Sequence, residues 1–305
     1  MIDPMQALVK TSSLLVPLPT STSTASPIPT VTPDVPLYEV VDHAGKTTLW
    51  IVFVIMLLST ITFIGMATRV TVQKRLFHIV TAFITLFATL SYFAMATGDG
   101  NSFTHIIVKE KHNHVPNTET EVFRQIFWAR YVDWALTTPL LLLDLAFLAG
   151  LNGADILVSI VADIFMVLTG LFAAFGHGGG QKWGYYTMGC ISYLLIVWIF
   201  AVGGRRTAKT KNASTAKFFA AIGGFTLVLW TLYPIVWGLG DGGRILSVDG
   251  EIIAYAVLDV LAKPVFGFWL LITHARSASA SSVEGFWSNG LSDEGSLRLE
   301  DDEGT

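Results

Sequence analysis

One lysine and several aspartates sit inside stretches of this chain that are otherwise apolar. From Ile252 to Thr273 the sequence reads IIAYAVLDVLAKPVFGFWLLIT, and its only charges are Asp259 and Lys263. These residues are four apart, so on a helix they share a face about 6 Å apart along the axis. A charged lysine at bilayer depth costs several kcal/mol unless it is paired or neutralised. Two readings follow: a reactive amine of the kind that forms Schiff bases with carbonyl compounds, or a structural Lys–Asp pair.

A second constellation lies earlier, in RYVDWALTTPLLLLD, which runs from Arg130 to Asp144. Asp133 and Asp144 are eleven apart. At 100° per residue both carboxylates lie on one face, about 16 Å apart along the axis. Pro139 between them is expected to bend the helix. Arg130 lies within reach to stabilise the Asp133 charge, and Thr137 can donate its hydroxyl to the same carboxylate. A cation at Lys263 would then have an acid on either side along the membrane normal, and intramembrane carboxylates arranged so mark proton relays. Asp133 and Asp259 set two negative charges against Lys263 and Arg130. Asp163 is a further acid in an apolar stretch. Asp241 and Glu251 read either as a carboxyl pair sharing a proton or as a solvated loop pair. Trp134, Tyr185, Tyr186, Trp230, Tyr233, Pro234 and Trp237 read as packing or as the walls of an apolar slot beside the lysine.

The elements that must hold these groups are membrane spans. The chain has 305 residues, 52% hydrophobic and 14% charged, with a mean hydropathy of +0.58. That composition describes a polytopic membrane protein rather than a soluble domain. Stretches of spanning length fall at 49–68, 79–98, 126–148, 155–175, 184–203, 218–239 and 252–273. The fold expected is all-α, a seven-transmembrane helix bundle. Connections on one side hold eight basic residues (Arg69, Lys74, Arg75, Arg205, Arg206, Lys209, Lys211, Lys217) and those on the other hold five (Lys109, Lys111, Arg124, Lys182, Arg244). The positive-inside rule puts the N-terminus outside and the C-terminus in the cytoplasm.

Residues 1–44 read as a disordered extracellular arm, rich in Ser, Thr and Pro over 1–36. Residues 45–276 form the seven-helix domain, and 277–305 an acidic cytoplasmic tail. The connection at 99–124 alternates polar and β-branched residues and suits a short hairpin on the outer surface. Cys190 is the only cysteine, which excludes an intramolecular disulfide and disfavours a G-protein-coupled receptor. His112 and His114 read as a solvated pair rather than metal ligands. Asn212-Ala-Ser matches a glycosylation sequon on the cytoplasmic side.

RYVDWALTTPLLLLD, WTLYPIVW and LDVLAK together resemble the microbial rhodopsins, specifically the fungal proton-pumping branch related to bacteriorhodopsin. The resemblance covers residues 45 to 275 and all seven spans. It implies all-trans retinal on Lys263 as a protonated Schiff base, Asp133 as primary proton acceptor and counterion, and Asp259 as second counterion. Asp144 matches the internal donor, Arg130 the arginine toward the exit, and Asp241 and Glu251 the release positions. Trp134, Thr138, Met166, Gly170, Trp230, Tyr233 and Trp237 match the retinal pocket, and Tyr92 a tyrosine near the extracellular water cluster. The function implied is a light-driven outward proton pump, an ion transporter and not an enzyme, in the plasma membrane. The alternative is a slow-cycling sensory photoreceptor of the same fold, and a chloride or sodium pump is disfavoured because Asp133 and Thr137 keep the proton-acceptor pattern. The partners implied are membrane lipid and protons, with a homo-oligomer left open and no nucleic acid or metal.

Overall fold

The apolar stretches form helices whose side chains invert the arrangement of a soluble domain. The computed structural model describes residues 35–70, 75–110, 118–211 and 213–276. The stretch up to Asp34, Lys74, Lys111, the His112/His114 pair, Asn212 of the sequon and the acidic tail from Ser277 lie outside the described residues. Seven helices are long and apolar enough to cross a membrane: α1 His43–Thr68, α2 Leu76–Thr97, α3 Trp128–Ala149, α4 Gly153–Ala174, α5 Gly179–Lys211, α6 Ala213–Gly242 and α7 Val248–Thr273. Leu58, Leu90, Leu157, Ile191, Leu194 and Val228 are exposed on their outer faces, whereas Asp133, Asp144, Asp163, Asp259 and Lys263 are buried. Lipid solvates the leucines as well as a core would, so polar groups go inside.

Helix ends follow local sequence. The Asn152 side chain accepts from the Asp155 amide at 2.9 Å to start α4, and Ser247 Oγ accepts from the Gly250 amide at 3.1 Å to start α7. Helix α3 continues through Pro139. Two helices widen into π-type turns where charged residues sit: Gly238–Gly242 holds Asp241, and Leu261–Val265 holds Lys263. Pro264 in the second turn has no amide hydrogen to donate, so the regular ladder cannot pass through it. A side chain on Gly267 would meet Thr81 Cγ2 at 2.5 Å and Phe63 Cζ at 2.8 Å. Glycine there allows α7 its close approach to α2 and α1.

One expectation is extended and two are corrected. The expected hairpin is present, with β2 Ser102–Glu110 antiparallel to β3 Thr118–Ile126, and it belongs to a three-stranded sheet. The third strand is β1, Leu37–Glu39, parallel to β3, and α1 begins at His43. Residues 37–44, assigned from sequence to a disordered arm, are therefore structured. The stretch Arg205–Lys211, taken as a loop, is helical and continues α5 beyond a π-type turn at Ile199–Gly204.

The sheet register explains why β1 docks. Glu39 is the register partner of Arg124, and Glu39 Oε2 accepts from Arg124 Nη1 at 2.9 Å. Arg244, in the connection between α6 and α7, also pairs with Glu39. Alternation along β3 turns Val122, Arg124 and Ile126 inward, while Tyr38 stacks on Phe123 with ring centroids 5.2 Å apart.

Burial works to raise the Glu39 carboxyl, but hydrogen bonds and charge from Arg244 and Arg124 outweigh it and hold the group below the ordinary glutamate range. A depressed value means this stabilisation is complete above the unfolded-state pKa and is lost as pH falls through the folded-state value. Amide exchange at Leu37–Glu39, corrected for intrinsic rates, should therefore accelerate only as pH drops below about 4. Glu39→Gln should show the faster exchange already at neutral pH. Protection unchanged in both cases would mean that the ion pairs do not hold β1.

Candidate functional site

Lys263 is almost fully enclosed, at 1% exposure. Its Nζ contacts Asp133 Oδ2 and lies 3.3 Å from Asp259 Oδ1. The Asp259 carboxylate is anchored from two further helices: Tyr92 of α2 donates to Oδ2 and Tyr233 of α6 donates to Oδ1, each at 2.7 Å. Asp133 is held less completely, because its Oδ1 has no hydrogen-bond partner among the described residues. The Thr137 hydroxyl, expected on this carboxylate, instead donates to the Asp133 main-chain carbonyl at 2.8 Å. That is the usual outcome for a threonine inside a helix.

Arg130 does not pair with Asp133 either. Its Nη1 donates to Glu251 Oε1 at 2.7 Å, and its guanidinium lies 4.3 Å from the centre of the Tyr255 ring. Asp241 and Glu251 are buried, which removes the solvated-pair reading. Glu251 lies in the first turn of α7, where the helix dipole favours an acid. A side chain on Gly240 would meet Glu251 Oε2 at 2.6 Å, so glycine lets this carboxylate tuck against α6. Arg124 Nη2 donates to Glu251 Oε2 at 2.8 Å, and Arg124 Nε approaches Asp241 Oδ1 at 3.4 Å. Tyr131 donates to Asp241 Oδ2 at 3.3 Å while accepting from Trp237 Nε1 at 2.9 Å.

The other end of α3 offers fewer polar partners. Asp144 is fully buried with Leu141, Leu142 and Leu145 near it in sequence and also buried. Its Oδ2 accepts from Thr81 of α2 at 3.3 Å, and its Oδ1 has no partner among the described residues. Asp163 of α4 accepts from Thr138 at 2.6 Å.

One cavity collects the predicted pocket residues except Tyr185, whose ring meets Phe172 instead, with centroids 5.5 Å apart. Trp134, Thr138, Met166, Gly170, Trp230, Tyr233, Trp237 and Lys263 all line it. The indole of Trp134 meets the rings of Tyr131, Tyr233 and Tyr255 at centroid distances of 5.1 to 5.4 Å. Tyr186 stacks on Trp237 at 4.9 Å and donates to the Pro234 carbonyl at 3.0 Å. An amine beside an apolar, ring-walled slot fits a long conjugated aldehyde such as retinal. Aromatic faces suit its polyene, and paired carboxylates suit a cation at the nitrogen.

Sequence reasoning missed Arg124, Glu39, Tyr131, Tyr255 and Thr81. Arg124 had one available signal, since strand alternation places it on the face of Val122 and Ile126. The threonine had none, because threonines are common in apolar helices. Among the described residues no group of three His, Cys, Asp or Glu side chains is disposed to hold a metal ion.

Comparison with known proteins gives a consistent result. Residues 43–277 match the family described as bacteriorhodopsin-like protein. Opsin-1 of Neurospora crassa is 50% identical over 288 residues, covering 92% of this chain and 95% of that protein. Opsin-like protein carO of Fusarium fujikuroi is 40% identical over 231 residues, covering 75% and 73% respectively. Among solved structures, the light-driven proton pump LR (Mac) from Leptosphaeria maculans is similar, with a TM-score of 0.79 and 55% identity. That match covers 81% of this chain and all of the other.

Thr138→Val retains shape but deprives the buried Asp163 carboxyl of its hydroxyl donor, which should destabilise the protein by about 1–3 kcal/mol. Thr138→Ser should restore most of the loss. Thermal unfolding of the three proteins under one detergent condition reads this directly. Equal midpoints would show that the Thr138–Asp163 bond contributes nothing to stability.

Proposed function

Since the chain belongs to the bacteriorhodopsin-like protein family, we propose that it is a light-driven outward proton pump with all-trans retinal attached through Lys263 Nζ. The observation that carries this reading is the asymmetry around that nitrogen. Two carboxylates face it on one side, and on the other a buried acid waits with a threonine hydroxyl as its partner and no ion pair. Retinal, when bound, supplies the light-driven isomerisation that changes which side of the membrane the Nζ proton faces.

The residues then divide the work by their hydrogen bonds. Asp259 already accepts a hydrogen bond from a tyrosine hydroxyl at each oxygen, so it serves as a fixed negative charge. Asp133 contacts Nζ through Oδ2 and has a free Oδ1, so it receives the Nζ proton. Arg130 does not touch Asp133 and already bonds Glu251 Oε1, so it passes the change of charge at Asp133 on to Glu251 through its field alone. Asp144, in its dry setting, holds a proton at rest and returns it to Nζ from the cytoplasmic side. Trp134, Trp230, Tyr233 and Trp237 orient the chromophore and exclude water, with Thr138, Met166 and Gly170 completing the walls. Asp241 and Glu251 form the outer end of the path. The seven-helix domain lies in the plasma membrane with the sheet outside and the C-terminus in the cytoplasm, an orientation supported by the excess of basic residues on the inner connections. The similarity to the light-driven proton pump LR (Mac) supports the same activity.

Illuminated cells or vesicles expressing the protein should acidify the outer medium, and a protonophore should abolish the signal. Lys263→Ala should lose the retinal-dependent visible band, because among the described residues no other amine lines the cavity. Asp133→Asn should abolish pumping and red-shift the pigment at neutral pH, and acidifying the wild type should give the same shift. A mutant that pumps normally would remove Asp133 from the acceptor role.

Asp144→Asn should leave the resting colour nearly unchanged while slowing reprotonation of Nζ by orders of magnitude, with rescue by azide, a small permeant acid. Flash photolysis from about pH 5 to 9 reads this, a range that spans the titration of a perturbed carboxyl. Reprotonation as fast as in the wild type would make Asp144 structural and favour a sensory photoreceptor.

A further inference from the structure

Helix α7 carries four buried side chains at four-residue spacing on its inner face: Glu251, Tyr255, Asp259 and Lys263. Neighbours in such a row stand about 6 Å apart along the axis. Three of the four are ionisable groups with roles in the proposed cycle. Tyr255 has none, yet it is 1% exposed and lines the cavity on the side where Arg130 pairs with Glu251.

Two residues of α3 clasp its ring. Arg130 sets its guanidinium carbon 4.3 Å from the ring centre, and Trp134, four residues on, meets the same ring with centroids 5.1 Å apart. Tyr233 of α6 packs there too, at 5.8 Å, and its main-chain carbonyl accepts from the Tyr255 hydroxyl at 3.5 Å. Trp134, Tyr233 and Tyr255 all line the cavity that Lys263 lines.

Arg130 is held at few points. Its Nη1 donates to Glu251 Oε1 at 2.7 Å, but its Nε has no hydrogen-bond partner among the described residues. Arg124 differs, with all three of its nitrogens on acceptors. A desolvated guanidinium is attracted to an aromatic face by the ring quadrupole. For Arg130 that contact stands where a further hydrogen bond would otherwise fix the side chain, so the ring helps to set where the cation rests.

We infer that Tyr255 is a positioning residue for Arg130 and ties it to the shape of the cavity. A ring packed between Trp134 and Arg130 passes a displacement of the cavity wall on to the cation, because close-packed interiors transmit strain. Isomerised retinal pressing on that wall then moves Arg130 before the charge at Asp133 changes, and the field of Asp133 acts afterwards on a cation already displaced. The ring carries this effect and the hydroxyl does not. The inference rests on the reading of retinal at Lys263.

The test uses the full chain loaded with retinal in vesicles, with its arginines isotope-labelled. Time-resolved infrared spectra after a flash follow the guanidinium bands. Arg130→Gln identifies those that belong to Arg130, and the carboxylic band of Asp133 marks its protonation. In the wild type an Arg130 phase should precede the rise of the Asp133 band. Tyr255→Phe keeps the ring and should keep that phase. Tyr255→Leu removes the ring, so the early phase should be lost and any remaining Arg130 change should coincide with the Asp133 band.

An Arg130 signal that rises only with the Asp133 band in the wild type overturns the inference. So does an early phase that survives in folded Tyr255→Leu, or one lost in Tyr255→Phe, which would assign the link to the hydroxyl. Should Tyr255→Leu not fold, Asp133→Asn takes its place. With no charge to change at that position the early Arg130 phase should persist, and its absence overturns the inference. A wild type without a retinal-dependent visible band would instead bring down the retinal reading itself.

Discussion

An ammonium buried at mid-membrane needs compensation, and the remaining architecture follows from supplying it to Lys263. Removing one partner from a buried ion pair typically costs about 3–5 kcal/mol, because the other charge is then stranded. Asp133 from α3 and Asp259 from α7 itself provide the counter-charge. Each acid then needs its own support, and Tyr92 from α2 and Tyr233 from α6 provide it for Asp259. Four helices are tied to one nitrogen. The π-type turn at Leu261–Val265, around Pro264, sets the direction from which the lysine enters.

The two carboxylates are chemically alike and are made different by their surroundings. Asp259 has both oxygens filled by phenol hydroxyls, whereas Asp133 has one oxygen on the lysine and one without a partner. A fully satisfied carboxylate behaves as a fixed charge, and an under-satisfied one can take a proton. The same contrast holds along the membrane normal. On the sheet side of Lys263 lies a dense set of ion pairs, and on the opposite side lies Asp144 near buried leucines with a single threonine donor among the described residues. Such asymmetry supports the proposed direction of proton transfer, since ions and hydrogen bonds stabilise charge more on one side than on the other.

Much of the site was legible because intramembrane charge is rare and spacing on a helix is regular. Lys263, Asp259, Asp133 and Asp144 could be singled out from their apolar settings, and the outer hairpin from its alternation. Contacts between helices were less legible. Thr137 and Arg130 both point elsewhere than at the Asp133 carboxylate, since proximity along a helix does not settle which partner a side chain takes. The tyrosines on Asp259 and the threonine on Asp144 come from other helices, at sequence separations of 167, 26 and 63 residues.

The sequence by itself determined the class of protein, the seven spans and the identity of the charged residues, because hydropathy and helical period depend only on local order. Tertiary structure decided which acid is fixed and which is open, because that depends on hydroxyls brought in by neighbouring helices. It also decided the place of Arg124. Read locally, that residue is a basic side chain in a polar connection, and only the pairing of β1 with β3 and the folding of both onto α6 and α7 bury it among three carboxylates.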